Sequence, residues 1–124
     1  NQVIVAITIG AVSEALILAG GGGADRAQVR EALQGGFASS RILSEHGQRM
    51  VQRQFEPGGP AKFQVKDLKN ALAAAERLGL DLPITRRTNE LFTAMVASGK
   101  GDMDHSGLLT HLEAINGLEE EKDA

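Results

Sequence analysis

NQVIVAITIGAVSEALILA, residues 1–19, is the longest near-continuous apolar stretch of the chain and decides its fold class. The opening Val3, Ile4, Val5, Ile7 and Ile9 would pass alone for a buried strand, but strands end after about 4–8 residues and this pattern runs on to Ala19. Its apolar residues occupy most faces of a helix, so burial on several sides is expected rather than one amphipathic stripe. A helix usually starts after a turn and a polar cap, whereas here Asn1 alone precedes the apolar residues. The expectation is therefore a piece of a longer protein, cut just inside a helix. A membrane span needs ~20 mostly apolar residues. This stretch contains Ser13 and Glu14 and ends in Gly20–Gly23, and a charge at the centre of a span costs on the order of 3 kcal/mol. With no basic leader and no small-residue cleavage pattern beside it, a core helix of a soluble, cytoplasmic protein is expected, with no membrane partner.

Working outward, the Gly20–Gly23 string ends this helix, because glycine supplies the backbone freedom a helix stop needs. It is no phosphate loop: no strand precedes it and no GxGxxG or GK[ST] pattern is present. Asp25 with Gln28 forms a capping-box pattern for a short helix through Val29 and Leu33, closed by Gly35 and Gly36. Ser39 or Ser40 caps the next, with Gly47 as an expected break. After the EPGGP turn comes the clearest amphipathic pattern, FQVKDLKNALAAAERL at residues 63–78. There Leu68, Ala71, Leu72, Ala75 and Leu78 recur at three and four, and Gly79 stops the helix. Leu82 and Pro83 open another through Leu91, Phe92, Met95 and Val96, ending near Gly99. Asp104 or Ser106 caps the last, Leu108 to Ile115. The fold class is thus all-α, with five to seven helices around a long buried first helix. Residues 1–118 form one domain and residues 119–124 a charged tail.

Composition limits the function. The 124 residues carry a net charge of −3 with scattered Lys and Arg, and Phe is the only aromatic type. Both facts argue against nucleic acid as a partner. The absence of cysteine removes disulfides, thiolate metal sites and a cysteine nucleophile. The three histidines, His46, His105 and His111, show neither HExxH nor a spacing that pairs them on one helical face, so structural or surface roles are expected and no metal. The segment GDMDHS, residues 101–106, lacks the ligand positions of a calcium loop and suits helix capping. Glu14 must find a partner or reach a wet edge. Two places stand out. Lys66 and Asp67 lie early in the amphipathic helix, where Lys66 and Asn70 share a face, although the same residues would serve as a solvated polar surface. Asn1 and Gln2 set two amides at the head of an apolar helix, suited to orienting a polar ligand or to capping.

Taken together, NQVIVAITIGAVSEALILA, GGFASSRILSEHG, FEPGGPAKFQVKDLKNALAAAERLGLDLPIT and GDMDHSGLL resemble the C-terminal helical domain of the beta-hydroxyacid dehydrogenases, the 3-hydroxyisobutyrate dehydrogenase family. The similarity runs from Asn1 to about Ile115. It implies a parent with an N-terminal Rossmann domain binding NAD or NADP. This domain would complete the substrate and cofactor cleft and supply much of a homodimer interface. In the family a catalytic lysine belongs to a KxxN[NQ] motif on the interdomain helix. Asn1 and Gln2 match its last two positions as substrate-binding amides, so the lysine falls three residues before Asn1 and outside this chain. Many relatives have Asn where Gln2 stands, and the longer side chain moves the amide outward by one methylene. The family's KD motif matches Lys66 and Asp67, which the resemblance assigns to the cofactor side of the cleft. Where many members carry a Phe, this chain has Gly59, so that contact is absent or supplied by Phe63. The four-glycine turn, mixed and polar in relatives, is expected to be mobile and without chemistry. The implied activity is reversible hydride transfer between nicotinamide and a small hydroxy acid or semialdehyde. The GGFASS segment resembles that of the tartronate semialdehyde reductase branch, with 3-hydroxyisobutyrate as the alternative substrate. The isolated chain is expected to be inactive, and by itself a non-catalytic helical dimerisation module.

Overall fold

The computed structural model describes residues 1–118; the charged tail expected at 119–124 lies outside them. Six α-helices follow in order: α1 (Gln2–Gly21), α2 (Arg26–Leu33), α3 (Arg41–Gln52), α4 (Ala61–Arg77), α5 (Pro83–Met95) and α6 (Leu108–Ile115). A π-type turn at Val96–Lys100 extends α5, and a 3₁₀ turn at His105–Gly107 leads into α6. No strand occurs among the described residues, only an isolated antiparallel bridge between Pro60 and Asp104.

Local chemistry accounts for the boundaries. Asp25 Oδ1 accepts from the Ala27 amide at 2.8 Å, and Ser40 Oγ accepts from the Leu43 amide at 2.9 Å, so α2 and α3 start at side-chain caps. Pro83 occupies the first position of α5, where its missing N–H costs nothing. Gly23, Gly79 and Gly99 take positive φ at or just past the ends of α1, α4 and the π-type turn. Two expectations need correction. Gly47 does not break α3; a Cβ there would lie 3.4 Å from Arg30 Cδ, so the glycine lets α2 and α3 approach closely. And α4 starts at Ala61 rather than residue 63, because its first amides find acceptors outside the helix: Ala61 N donates to Met103 O at 2.8 Å and Lys62 N to Gly101 O at 3.0 Å.

The first helix packs against each of the other five. Ala6, Ile9 and Leu16 are fully buried among Leu43, Met50, Leu68, Phe92, Met95, Leu108 and Leu109. Each large side chain removed from water in this way contributes about 1.5–3 kcal/mol. Ser13 is buried with them, its hydroxyl donating back to Ile9 O at 2.8 Å. By length and composition α1 is long and apolar enough to cross a membrane, with a mean hydropathy of 2.2, and 28% of that stretch is buried in the chain. Its exposed residues form an outward stripe: Ile4 is 71% and Leu18 79% exposed, with Ala11 and Ala15 exposed between them. Glu14 reaches the wet edge on the same side.

A buried ion network closes the far end of the bundle. Arg53 ends α3 in the left-handed conformation (φ 55°), and its guanidinium donates to both carboxylate oxygens of Glu113 at 2.8 and 3.1 Å. Arg26 adds a third bond at 2.8 Å. Removing Glu113 takes the shared buried carboxylate away from two partly buried cations. Glu113→Leu is expected to lower unfolding free energy by about 3 kcal/mol in urea titration, more than an exposed ion pair such as Arg41–Glu45 contributes.

Candidate functional site

The loop before α4 and the loop before α6 are zipped together by backbone bonds. Asp104 N donates to Phe55 O at 2.9 Å and His105 N to Gly59 O at 2.7 Å. One fully buried carboxylate fastens them: Asp104 Oδ1 accepts from the Gly58 and Gly59 amides at 2.9 and 3.0 Å, and Oδ2 accepts from the Ser106 amide and hydroxyl. Asp104 thus caps the 3₁₀ turn rather than α6, whose N-cap position is Gly107 with no side-chain cap because the 3₁₀ turn comes between, and it grips a second loop besides. Burial alone would raise its carboxyl, but the hydrogen bonds from Ser106, Gly59 and Gly58 outweigh burial and bring it down to about 2.

Tertiary packing brings His46 of α3 and His105 together edge to face, their ring centroids 4.8 Å apart, beside this carboxylate. Nothing in the sequence signalled the pairing, because 59 positions and two helices separate the residues; the GDMDHS capping pattern pointed to one partner. Burial holds both imidazoles below the usual histidine range, partly offset by Asp104 and reinforced by Arg49. One ligand atom each from His46, Asp104 and His105 lies within 4.8 Å of the others, a set that resembles a metal site. The donor chemistry points elsewhere. Four donors occupy the carboxylate, and the Arg49 guanidinium stands 3.8 Å from Oδ2 where a metal's charge would oppose it. Asp104 and the two loops form a hydrogen-bonded latch, with the His46 ring packed beside it and its Nδ1 buried without a hydrogen-bond partner among the described residues.

The latch borders the residues that the sequence singled out. Asn1 occupies the N-cap position of α1, yet its side chain makes no capping bond and is exposed. Gln2 is half-buried, and its Oε1 is buried with no hydrogen-bond partner among the described residues. Gln64, on the inner face of α4 and 3% exposed, donates from Nε2 to Gln2 O at 3.4 Å and meets His105 Nδ1 through Oε1 at 2.8 Å. Gln64 was not singled out from the sequence, where it reads as an ordinary polar position.

Lys66 lies two residues further along α4, on the opposite, exposed face with Asn70; Asp67 is half-buried. Among the described residues no hydrogen bond or ion pair engages Lys66 or Asp67, and none joins them to Asn1 or Gln2. Lys62, one turn before Lys66, pairs with Asp102 at 2.7 Å and stands 5.7 Å from the centroid of the exposed Phe63 ring. At Gly59 a Cβ would approach the His105 ring to 3.2 Å, so the imidazole fills the space next to the backbone there.

Comparison with known proteins gives a consistent result. Residues 1–112 match a family model described as the NAD-binding region of NADP-dependent 3-hydroxyisobutyrate dehydrogenase. Among curated proteins, the chain is 52% identical over 115 residues to 2-hydroxy-3-oxopropionate reductase of Escherichia coli K12, covering 93% of this chain and 39% of that protein. It is 35% identical over 118 residues to the probable mitochondrial 3-hydroxyisobutyrate dehydrogenase-like protein 1 of Arabidopsis thaliana, covering 95% of this chain and 35% of that one. Among solved structures, 3-hydroxyisobutyrate dehydrogenase from Salmonella typhimurium superposes with a TM-score of 0.84 at 24% identity, over 88% of this chain and 38% of that one; this likeness concerns the fold. The chain therefore spans well under half the length of these relatives.

The latch sets a pH dependence. His46 and His105 have folded values below 6.5, so the unfolded chain binds protons first and stability falls as pH drops below 6.5. Asp104, at about 2 against an ordinary 3.8, contributes stability that is complete above 3.8 and lost as pH falls toward 2. Thermal unfolding midpoints are expected to fall in two stages on acidification. Asp104→Asn is expected to shrink the lower stage by about 2 kcal/mol, while Glu113 retains its own share of it.

Proposed function

Because the chain belongs to the 3-hydroxyisobutyrate dehydrogenase family of beta-hydroxyacid dehydrogenases, we propose that it is the C-terminal helical domain of a cytoplasmic NAD(P)-dependent 2-hydroxy-3-oxopropionate (tartronate semialdehyde) reductase. The observation that carries this reading is the 52% identity to the Escherichia coli reductase over nearly the whole chain. An N-terminal Rossmann domain would bind most of the dinucleotide, and this domain would close the cleft against it. In this reading Asn1 and Gln2 are the substrate amides. What supports it is their state: the Asn1 side chain is not spent on capping, and the buried Gln2 Oε1 still lacks a hydrogen-bond donor, as a group awaiting a substrate hydroxyl does.

Lys66 and Asp67 fit the cofactor side. Lys62 is neutralised by Asp102, whereas the exposed Lys66 ammonium has no partner among the described residues and suits an anionic group of the dinucleotide. The nicotinamide, when bound, supplies or accepts the hydride. The protein's share is orientation and the proton: the amides hold the substrate's polar groups, and the family's catalytic lysine, three residues before Asn1 in this reading, gives the proton during reduction. The outward stripe of Ile4, Ala11 and Leu18 favours a homodimer packed along α1, since an apolar face of this extent is costly to leave in water.

Three measurements test the reading. In the full-length protein, Lys66→Ala is expected to raise the KM for NADH or NADPH about tenfold with an unchanged unfolding midpoint, since Lys66 is exposed and makes no hydrogen bond or ion pair among the described residues; unaltered cofactor kinetics return Lys66 to the solvated surface. The 124-residue chain alone, assayed with tartronate semialdehyde and either cofactor, is expected to show no turnover, and measurable turnover sinks the claim that essential groups lie upstream. Sedimentation at high micromolar concentration is expected to give a dimer, and a monomer throughout removes that part of the proposal.

A further inference from the structure

The buried amide of Gln64 has one arrangement that satisfies its neighbours. Gln2 O is a backbone carbonyl and accepts only, so Gln64 turns Nε2 toward it at 3.4 Å. Oε1 then faces His105 Nδ1 at 2.8 Å, and because an amide oxygen also only accepts, that nitrogen carries the proton. The His105 ring is itself fixed: its backbone amide is held by Gly59 O at 2.7 Å, its face meets the edge of His46 or the reverse at 4.8 Å, and its Cε1 and Nε2 lie over Gly59. A chain of defined donors and acceptors thus runs from the Asp104 latch through His105 and Gln64 to the first turn of α1.

That turn needs an anchor. Asn1 makes no capping bond, and among the described residues Gln64 supplies the side-chain hydrogen bond that reaches the backbone of residue 2. We propose that Gln64 and His105 are positioning residues for the substrate amides, a relay that holds the first turn of α1 in register with α4. The proposal rests on the reductase reading above, in which Asn1 and Gln2 face the substrate. Neither Gln64 nor His105 touches substrate; they act by fixing where the amides stand. A displacement near 1 Å at a reacting centre costs about 100-fold, so loosening one hydrogen bond in the chain is expected to cost about tenfold.

The test uses the full-length protein with three substitutions. Gln64→Met keeps the length and loses both bonds, Gln64→Glu keeps the acceptor for His105 and loses the donor to Gln2, and His105→Gln keeps a donor for Gln64. Expected are a roughly tenfold rise in substrate KM for Gln64→Met and Gln64→Glu, an unchanged KM for NADH or NADPH, and a smaller effect for His105→Gln. Long-range ¹H–¹⁵N spectra are expected to show His105 protonated at Nδ1 in the wild type and in Gln64→Glu, and to lose that tautomer in Gln64→Met. Amide exchange at Val5 and Ala6, the first intrahelical donors of α1, is expected to quicken in both Gln64 variants. An Nε2-protonated wild type, unchanged exchange, or a KM change equal for substrate and cofactor overturns the relay. If the wild type reduces no semialdehyde, the reductase reading falls instead, and the tautomer and exchange measurements still decide whether the relay exists.

Discussion

The join between the two loops that lead into α4 and α6 depends on the carboxylate of Asp104. An ionised group with no exposure to water is costly to bury, and here four donors from two loops compensate it. The consequence reaches beyond the loops. Pro60 provides no side-chain cap for α4, so the helix takes the carbonyls of Met103 and Gly101 for its first two amides. Those carbonyls stand where they do because Asp104 fastens their loop to residues 55–59. The entry point and axial register of α4 are therefore set by one side chain on another segment. The Gly58–Gly59 pair belongs to the same device. A Cβ at 58 would only touch the end of the Arg49 side chain at 3.4 Å, whereas one at 59 would crowd the His105 ring at 3.2 Å.

The first helix works by a different force. Its contacts with the other five helices are mostly apolar, and apolar burial selects neighbours without fixing direction. Ile9 and Leu16 settle which face of α1 turns inward, but a helix held only by such contacts has little resistance to sliding or fraying at its first turn. Polar bonds supply what burial lacks. Ser13 bonds mainly back to Ile9 O at 2.8 Å, with Met50 Sδ of α3 further off at 3.8 Å, and the Gln64–Gln2 bond serves the end where Asn1 fails to cap. The longest hydrophobic segment is thus placed by the core and finished by a buried amide.

Which features were legible in the sequence follows from the range of the interactions involved. Caps and stops depend on residues three or four apart, so Asp25, Ser40, Pro83 and the glycines near 22, 79 and 99 announced the helices. The family motifs likewise drew attention to Asn1, Gln2, Lys66 and Asp67. Gly47 misled because its intrinsic cost to a helix is local, while its benefit, room for Arg30, comes from a different helix. The His46–His105 pair and the role of Gln64 were invisible for the same reason: each depends on segments dozens of residues apart meeting in space. Asp104 was half legible, as a cap for its own turn but not as the fastener of the preceding loop.

The positions along α4 constrain what kind of ligand this surface can share. Gln64 and Lys66 are two residues apart, which separates their side chains by about 200° around the helix and only about 3 Å along it. Gln64 points inward to the first turn of α1 and Lys66 outward to solvent. In the proposed reading, a ligand at the first turn of α1 approaches the inner side of α4 and a ligand at the Lys66 ammonium its outer side. For both to serve one reaction, two ligands must meet over the edge of α4, one at the α1 terminus and one extended along the outer face beside Lys62, Lys66 and Asn70. A compact substrate and a long anionic cofactor have those shapes. In that reading Asn1 and Lys66 are both exposed on this domain, so a second body over them is needed to keep water from the place where the two ligands meet.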